Sequence, residues 1–303
     1  MDNRSEAVIE EAILFGGSKS LVGIVTAPSQ VQIGRPAVIL LNAGIIHRVG
    51  PGGLYVKLAR RLARLGFVVL RFDVSGVGDS PNRRDNLPFA RSAPQESQEA
   101  MDYLARTRGL RSFVLGGLCT GAVVAYQAAL TSPEVAGLLM LNPQGLIPES
   151  DAHVQTLIAK RASRHYYLRR ALYNAGSWRK LFSGGADFKH ILGVLGLTSG
   201  ALRAMTTGAS PESERIMTSF QALADRGTEL FFIFSEGDPG IDELQIIMGN
   251  RMPELRGRNN VRYSILEKTD HMLTLLAKQE AFLNQATDWM QEVSAKLEAV
   301  RNR

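Results

Sequence analysis

At 303 residues the chain is close to the upper limit for one hydrophobic core, which suits a single large domain carrying an insertion better than two independent domains. Its composition, 45% hydrophobic and 21% charged, excludes a disordered chain, and its single cysteine excludes an internal disulfide or a thiolate zinc cluster. The net charge of +6 leaves nucleic acid, an anionic lipid surface or an acidic partner open, so its location matters more than its sum.

Met1 to Glu6 has no apolar core that would act as a signal sequence, and no apolar run approaches the roughly 18 residues of a membrane span. A cytoplasmic protein is therefore expected. Val8 to Phe15 and Leu21 to Thr26 have strand composition and are joined by the turn signal Gly16-Gly17-Ser18. Ala37 to Leu41 is a continuous apolar run, as a strand covered on both faces requires. From Gly53 to Leu65, Leu54, Leu58, Leu62 and Leu65 recur at helical spacing opposite Lys57, Arg60, Arg61 and Arg64, which predicts an amphipathic crossover helix. A strand at Phe67 to Phe72, a helix at Gln95 to Arg106, a strand at Ser112 to Leu118, a helix at Ala122 to Leu130 and a strand at Ala136 to Leu141 follow. This alternation implies right-handed crossovers and a mostly parallel sheet flanked by helices.

The rhythm stops between Pro143 and Asp225 and resumes with strands at Glu229 to Phe234 and Val261 to Leu266 and a closing helix at Gln279 to Val300. The expected organisation is a core of residues 1–142 and 226–303, with residues 143–225 forming a helical cap over the carboxyl edge of the sheet, where α/β folds place ligands. Between Asp151 and His190, eight Lys and Arg face two Asp, so this stretch alone carries an excess equal to that of the whole chain. Tyr166, Tyr167, Tyr173, Trp178 and Phe182 are interleaved with these charges, and the apolar Ile191 to Leu197 follows. Such a lid suits a phosphopantetheine arm, an acidic carrier protein, or an anionic lipid or sugar; a solvated helix face whose aromatics pack on the sheet is the other reading. Nucleic acid fits less well, because no recognition motif accompanies the charge.

The chemistry centres on Gly117-Leu118-Cys119-Thr120-Gly121, which joins an apolar strand to a helix. A strand that turns at once into a helix strains its turn residue and needs small neighbours two positions to either side, which Gly117 and Gly121 supply. The turn sets the thiol of Cys119 at a helix N-terminus, where free N–H groups and the helix dipole favour negative charge on sulfur. A buried structural cysteine is the competing reading. A thiol nucleophile needs a base, and the base needs an acceptor that fixes its tautomer. His271 follows the last predicted strand and Asp238 the one before it, giving the chain order nucleophile, acid, histidine. Asp242 and Asp270 are rival partners for the histidine. The first lies a turn beyond the strand end, and the second is adjacent to the ring it would have to reach.

An oxyanion hole requires two N–H groups. Thr120, directly after the nucleophile, is expected to supply one. The loop Asn42-Ala43-Gly44-Ile45-Ile46-His47 is expected to supply the other, from Ala43 first and Gly44 second. His47 is a further candidate for touching substrate.

These elements resemble the α/β-hydrolase superfamily in Asn42-Ala43-Gly44, the stretch Arg71 to Ser80, the elbow, the Asp238-Pro239 turn and the Asp270-His271 pair. Within it, the loop Asn42 to Pro51 and Gly78-Asp79-Ser80 are similar to the serine aminopeptidase-like hydrolases, including those associated with exosortase systems for exported polysaccharide. Most such relatives carry serine at the elbow. Cysteine there resembles the dienelactone hydrolases and some thioesterases and acyltransferases, and argues against epoxide hydrolases and haloalkane dehalogenases, which need aspartate. The resemblance implies an α/β-hydrolase fold with a helical cap and an esterase or thioesterase working through a covalent acyl-enzyme. Acyl transfer to an amine, alcohol or thiol is the alternative, because a thioester reacts more readily with amines and thiols than an oxygen ester does. A small-molecule acyl substrate, free or carried on CoA or an acyl carrier protein, is expected, and no metal or organic cofactor is required. A ligand-binding protein without turnover is the reading of another class; possession of all three triad residues stands against it.

Overall fold

The computed structural model describes residues 7–17, 19–31, 34–147 and 210–302. Among the described residues eight strands form one sheet: β1 (Val8–Phe15), β2 (Leu21–Pro28), β3 (Ala37–Leu41), β4 (Val69–Phe72), β5 (Phe113–Leu118), β6 (Val135–Leu141), β7 (Glu229–Ser235) and β8 (Val261–Leu266). Their spatial order is β1-β2-β4-β3-β5-β6-β7-β8. β2 runs antiparallel to both of its neighbours, while β4, β3, β5, β6, β7 and β8 pair in parallel. Every residue of β3, β4 and β5 is buried, which is why these strands read as unbroken apolar runs rather than as alternating patterns. The outermost strand β8 leaves most of its residues partly exposed.

The helices form two layers. On one face, α1 (Leu54–Arg64) buries Leu54, Leu58 and Leu62 together with α7 (Leu276–Arg301), whose Phe282, Leu283, Trp289 and Met290 join the same cluster. Fully burying a side chain of this size contributes about 1.5–3 kcal/mol. The opposite face is covered by α2 (Phe89–Arg108), α3 (Thr120–Thr131), α4 (Pro211–Asp225) and α5 (Pro239–Met248), with the short α6 (Met252–Arg256) beyond them.

Three stretches differ from the sequence expectation. α2 begins at Phe89 rather than at Gln95, because Pro94 sits inside the helix. A proline there removes one N–H and frees the carbonyl of Ala90, which is exposed, so the loss occurs beside solvent. Between β7 and β8, where no helix was anticipated, α5 and α6 pack Leu244, Ile247, Met248 and Leu255 into the core. Pro211–Asp225, counted with the insertion from sequence, is a helix whose Ile216, Met217, Phe220 and Leu223 lie in the main cluster, with Phe220 stacked 4.5 Å from Tyr126. The charged aromatic stretch Asp151 to His190 and the apolar Ile191 to Leu197 lie outside the described residues. Among the described residues no helix is long and apolar enough to cross a membrane.

Candidate active site

The parallel strands deliver three side chains to one edge of the sheet: Cys119 directly after β5, Asp238 after β7 and His271 after β8. Cys119 has φ 57° and ψ −123° and caps the N-terminus of α3. Its N–H donates to the carbonyl of Leu141 at 2.9 Å, tying the turn to β6. Only small neighbours permit this geometry. A Cβ on Gly117 would stand 2.4 Å from the backbone carbon of Gly121, and one on Gly121 would stand 2.6 Å from the carbonyl oxygens of both Leu41 and Asn42. Tyr55, fully buried on α1, accepts the N–H of Leu118 at 2.8 Å and so fixes the residue that enters the turn.

His271 Nδ1 lies 2.6 Å from Asp238 Oδ2, which leaves Nε2 as the nitrogen available to sulfur. The Asp238 side chain is 1% exposed and that of His271 30%. Hydrogen bonds to Asp238 and then to Cys119 raise the pKa of His271 to about 10, overcoming the opposing effect of burial. The imidazole is thus held as imidazolium across the neutral range, beside the sulfur. Asp238 has further duties: Oδ1 accepts the N–H of Gly240 at 2.8 Å, capping α5, and the Nε2 of Gln144 at 3.0 Å. Of the rival acids, Asp270 is engaged with the N–H groups of Met272 and Thr274 and the Thr274 hydroxyl, while Asp242 lies in the first turn of α5.

The loop after β3 faces the elbow. Asp73, wholly buried, accepts the N–H of Arg48 at 2.6 Å and the Nδ2 of Asn42 at 3.2 Å, and also pairs with the Arg48 guanidinium; Asp79 takes the other side of that guanidinium at 2.6 Å. This network fixes both ends of the loop. Within it, buried Ala43 bridges to Ile46, whose N–H donates to the Ala43 carbonyl at 3.0 Å. Gly44 is exposed, and its N–H donates to the hydroxyl of Thr120 at 2.8 Å. The residue ranked second from sequence is therefore the one whose N–H crosses to the elbow. His47 is exposed at the loop's outer end.

Comparison with known proteins yields a match to the family described as serine aminopeptidase, S33, over residues 36–183, which includes Cys119 but neither Asp238 nor His271. A search of curated proteins returned no match. Among solved structures, the chain is similar to an α/β hydrolase, GrgF, from a Penicillium species, with 18% identity, a TM-score of 0.55 and coverage of 96% of this chain and 99% of that one. It is likewise similar to a dienelactone hydrolase from Anabaena variabilis, at 14% identity and TM-score 0.55, covering 95% and 99% of the two chains. An esterase from Pyrococcus furiosus matches at 15% identity and TM-score 0.55, over 96% and 92%. The fold is that of the α/β hydrolases. The candidate residues occupy the carboxyl ends of strands β5, β7 and β8 of this α/β-hydrolase sheet.

Three residues absent from the sequence reading hold this edge of the α/β-hydrolase sheet together. Asn142, wholly buried at the end of β6, donates to the His271 carbonyl at 2.9 Å and to the Ser235 hydroxyl at 3.0 Å, and accepts the N–H of Ser235 at 2.6 Å. Its φ of 44° belongs to the left-handed region that asparagine tolerates, the one trace it leaves in sequence. Gln144 shares the Asp238 carboxylate with His271. Glu243, on α5, accepts the N–H groups of Gly145 and Ile147, both at 2.9 Å, and so fixes the loop that carries Gln144. Burial raises the Glu243 pKa against the pull of those donors. No group of three or more His, Cys, Asp or Glu side chains is placed to hold a metal ion among the described residues.

Proposed function

We propose that this protein hydrolyses an ester or thioester through a covalent acyl-enzyme on Cys119. The 2.6 Å contact of His271 with Asp238, at the same edge of the sheet as the strained turn that holds Cys119, carries this reading. The Cys119 sulfur, its proton carried by His271, attacks the acyl carbonyl, and the carbonyl π pair moves to oxygen. Collapse of the tetrahedral adduct re-forms the carbonyl and expels the alcohol or thiol, which takes its proton from the His271 imidazolium. Water, deprotonated by the then neutral imidazole, attacks the acyl carbon; the carbon–sulfur bond breaks with its pair on sulfur, which releases the acid and restores Cys119 beside the protonated His271. Asp238 orients the ring and balances its charge.

Sulfur also supports a second reading, transfer of the acyl group to an amine, alcohol or thiol, since a thioester intermediate is more reactive toward such acceptors than an oxygen ester. A panel of acyl-CoA thioesters incubated with the protein is expected to yield an intact mass increased by one acyl group and unchanged in Cys119→Ala. Absence of an adduct from every thioester, with no product acid, would overturn the proposal. Added amine or thiol that diverts product from the free acid would identify the second reading.

Gln144 is expected to act as a positioning residue. Gln144→Leu removes one of the donors that steady the Asp238 carboxylate, and kcat is expected to fall about tenfold with little change in KM, since a hydrogen bond to a buried charge contributes about 1.5–3 kcal/mol. Gln144→Glu sets a second carboxylate against the first and is expected to lose more. Steady-state kinetics on a chromogenic ester decides the point, and a Leu variant with wild-type kcat removes Gln144 from the machinery.

A further inference from the structure

Of the two loop residues anticipated as oxyanion donors, Gly44 does not offer a free N–H. Gly44 is the exposed residue of the loop whose N–H crosses to the elbow, and that N–H is already engaged, 2.8 Å from Thr120 Oγ1. Ala43, the first candidate, is buried, and it is its carbonyl, not its N–H, that is engaged, accepting from the Ile46 N–H at 3.0 Å. The two segments are forced together by backbone packing: Gly121 lies so close to the carbonyl oxygens of Leu41 and Asn42 that a single added carbon would stand 2.6 Å from each. Residue 120, at the first position of α3, therefore stands directly against the start of the loop.

A hydroxyl has one hydrogen to give and two lone pairs to receive. In accepting from Gly44, the Thr120 oxygen uses one lone pair and leaves its hydrogen free. The Gly44 amide polarises that O–H bond, because hydrogen bonds in a chain strengthen one another. A β-branched residue has restricted χ1, so the direction of the hydroxyl is less free than it would be on serine.

From this geometry, and resting on the acyl-enzyme reading above, we infer that the Thr120 side chain is itself an oxyanion donor: its hydroxyl, backed by the Gly44 amide, works beside the Thr120 N–H. When sulfur attacks, the carbonyl π pair settles on oxygen, and the resulting oxyanion accepts hydrogen bonds from the Thr120 N–H and the Thr120 O–H. No proton changes owner in this contact. When the adduct collapses, the pair returns to the carbonyl and both donors are released. Gly44 then acts through threonine rather than by its own amide, which explains why its N–H is oriented toward a side chain.

The test compares Thr120→Ser with Thr120→Ala, which differ at this position by the hydroxyl alone. Two rates are measured on each full-length variant and on wild type: acylation of Cys119 by a p-nitrophenyl ester, in which an oxyanion forms, and alkylation by iodoacetamide, a displacement in which none does. Loss of one oxyanion donor costs about 10²–10³-fold, so Thr120→Ala is expected to acylate about a hundredfold or more slower than Thr120→Ser while the two alkylate within about twofold of each other. Equal acylation rates, or faster acylation by Thr120→Ala, overturn the inference, the latter because the hydroxyl would then be blocking the hole. A deficit of equal size in both reactions also overturns it, since the change would lie in the sulfur or the fold. Wild-type protein that alkylates yet never takes up an acyl group removes the underlying reading instead, and the inference with it.

Discussion

The Cys119→Ala and His271→Ala variants are each expected to lose on the order of 10⁴-fold or more in kcat toward a chromogenic acyl ester, and the double variant is expected to lose no more than either single one. Sulfur and imidazole act as one unit, so removing half leaves little for the other half to contribute. Losses that multiply, or a His271→Ala variant within tenfold of wild type, would show that the two groups do not work together. The histidine variant also carries a pH signature in stability. Asp238 and Cys119 raise His271 from the ordinary 6.5 to about 10 in the folded chain, so folding favours the protonated ring. The resulting stabilisation is fully present below pH 6.5, shrinks as the pH rises beyond that, and is lost once the pH passes through about 10. The gap in Tm between wild type and His271→Ala is therefore expected to be widest below pH 6.5 and to close toward pH 10. A gap that opens with rising pH would contradict the paired imidazolium.

How much of this arrangement the sequence discloses depends on whether a residue's role is local. The apolar runs of β3 and β5 and the glycines around Cys119 answer to constraints within a few residues, and these elements stand where pattern reading puts them. The start of α2 does not, because Pro94 breaks a helix only where the carbonyl it frees is denied another partner, and Ala90 lies at the surface. α5 escapes notice because Asp238-Pro239 looks like a turn when it is a helix start: the aspartate caps the helix through Gly240 while serving His271 with its other oxygen. Asn142, Gln144 and Glu243 were out of reach for a different reason. Their partners lie 93 to 129 positions away, and nothing in their own neighbourhood distinguishes them from loop residues. The loop donor shows the same limit at close quarters. Ala43 and Gly44 are both small, and what separates them is burial and the partner that the Gly44 N–H finds in Thr120, 76 positions away.

The Gly121→Ala variant is expected to lose about 3 kcal/mol or more in stability, because its new methyl carbon would stand 2.6 Å from two buried carbonyl oxygens, that of Leu41 at the end of the central strand β3 and that of Asn42 directly after it. Side chains swing aside from such a contact, whereas buried backbone in a parallel sheet does not. Relief comes only by drawing α3 away from the loop after β3, which lengthens the 2.8 Å bond between Gly44 and Thr120, so kcat is expected to fall together with stability. Gly109→Ala is the control. That glycine ends α2 with φ 69° and open space around it, so alanine there meets left-handed strain of about 1–2 kcal/mol and no collision, and turnover should be untouched. Urea denaturation and ester kinetics on the two variants separate conformational strain from steric exclusion. If Gly121→Ala proves no less stable than Gly109→Ala and turns over normally, close packing of the elbow on the loop is not what sets the position of Thr120. The proximity of the two segments would then need another cause.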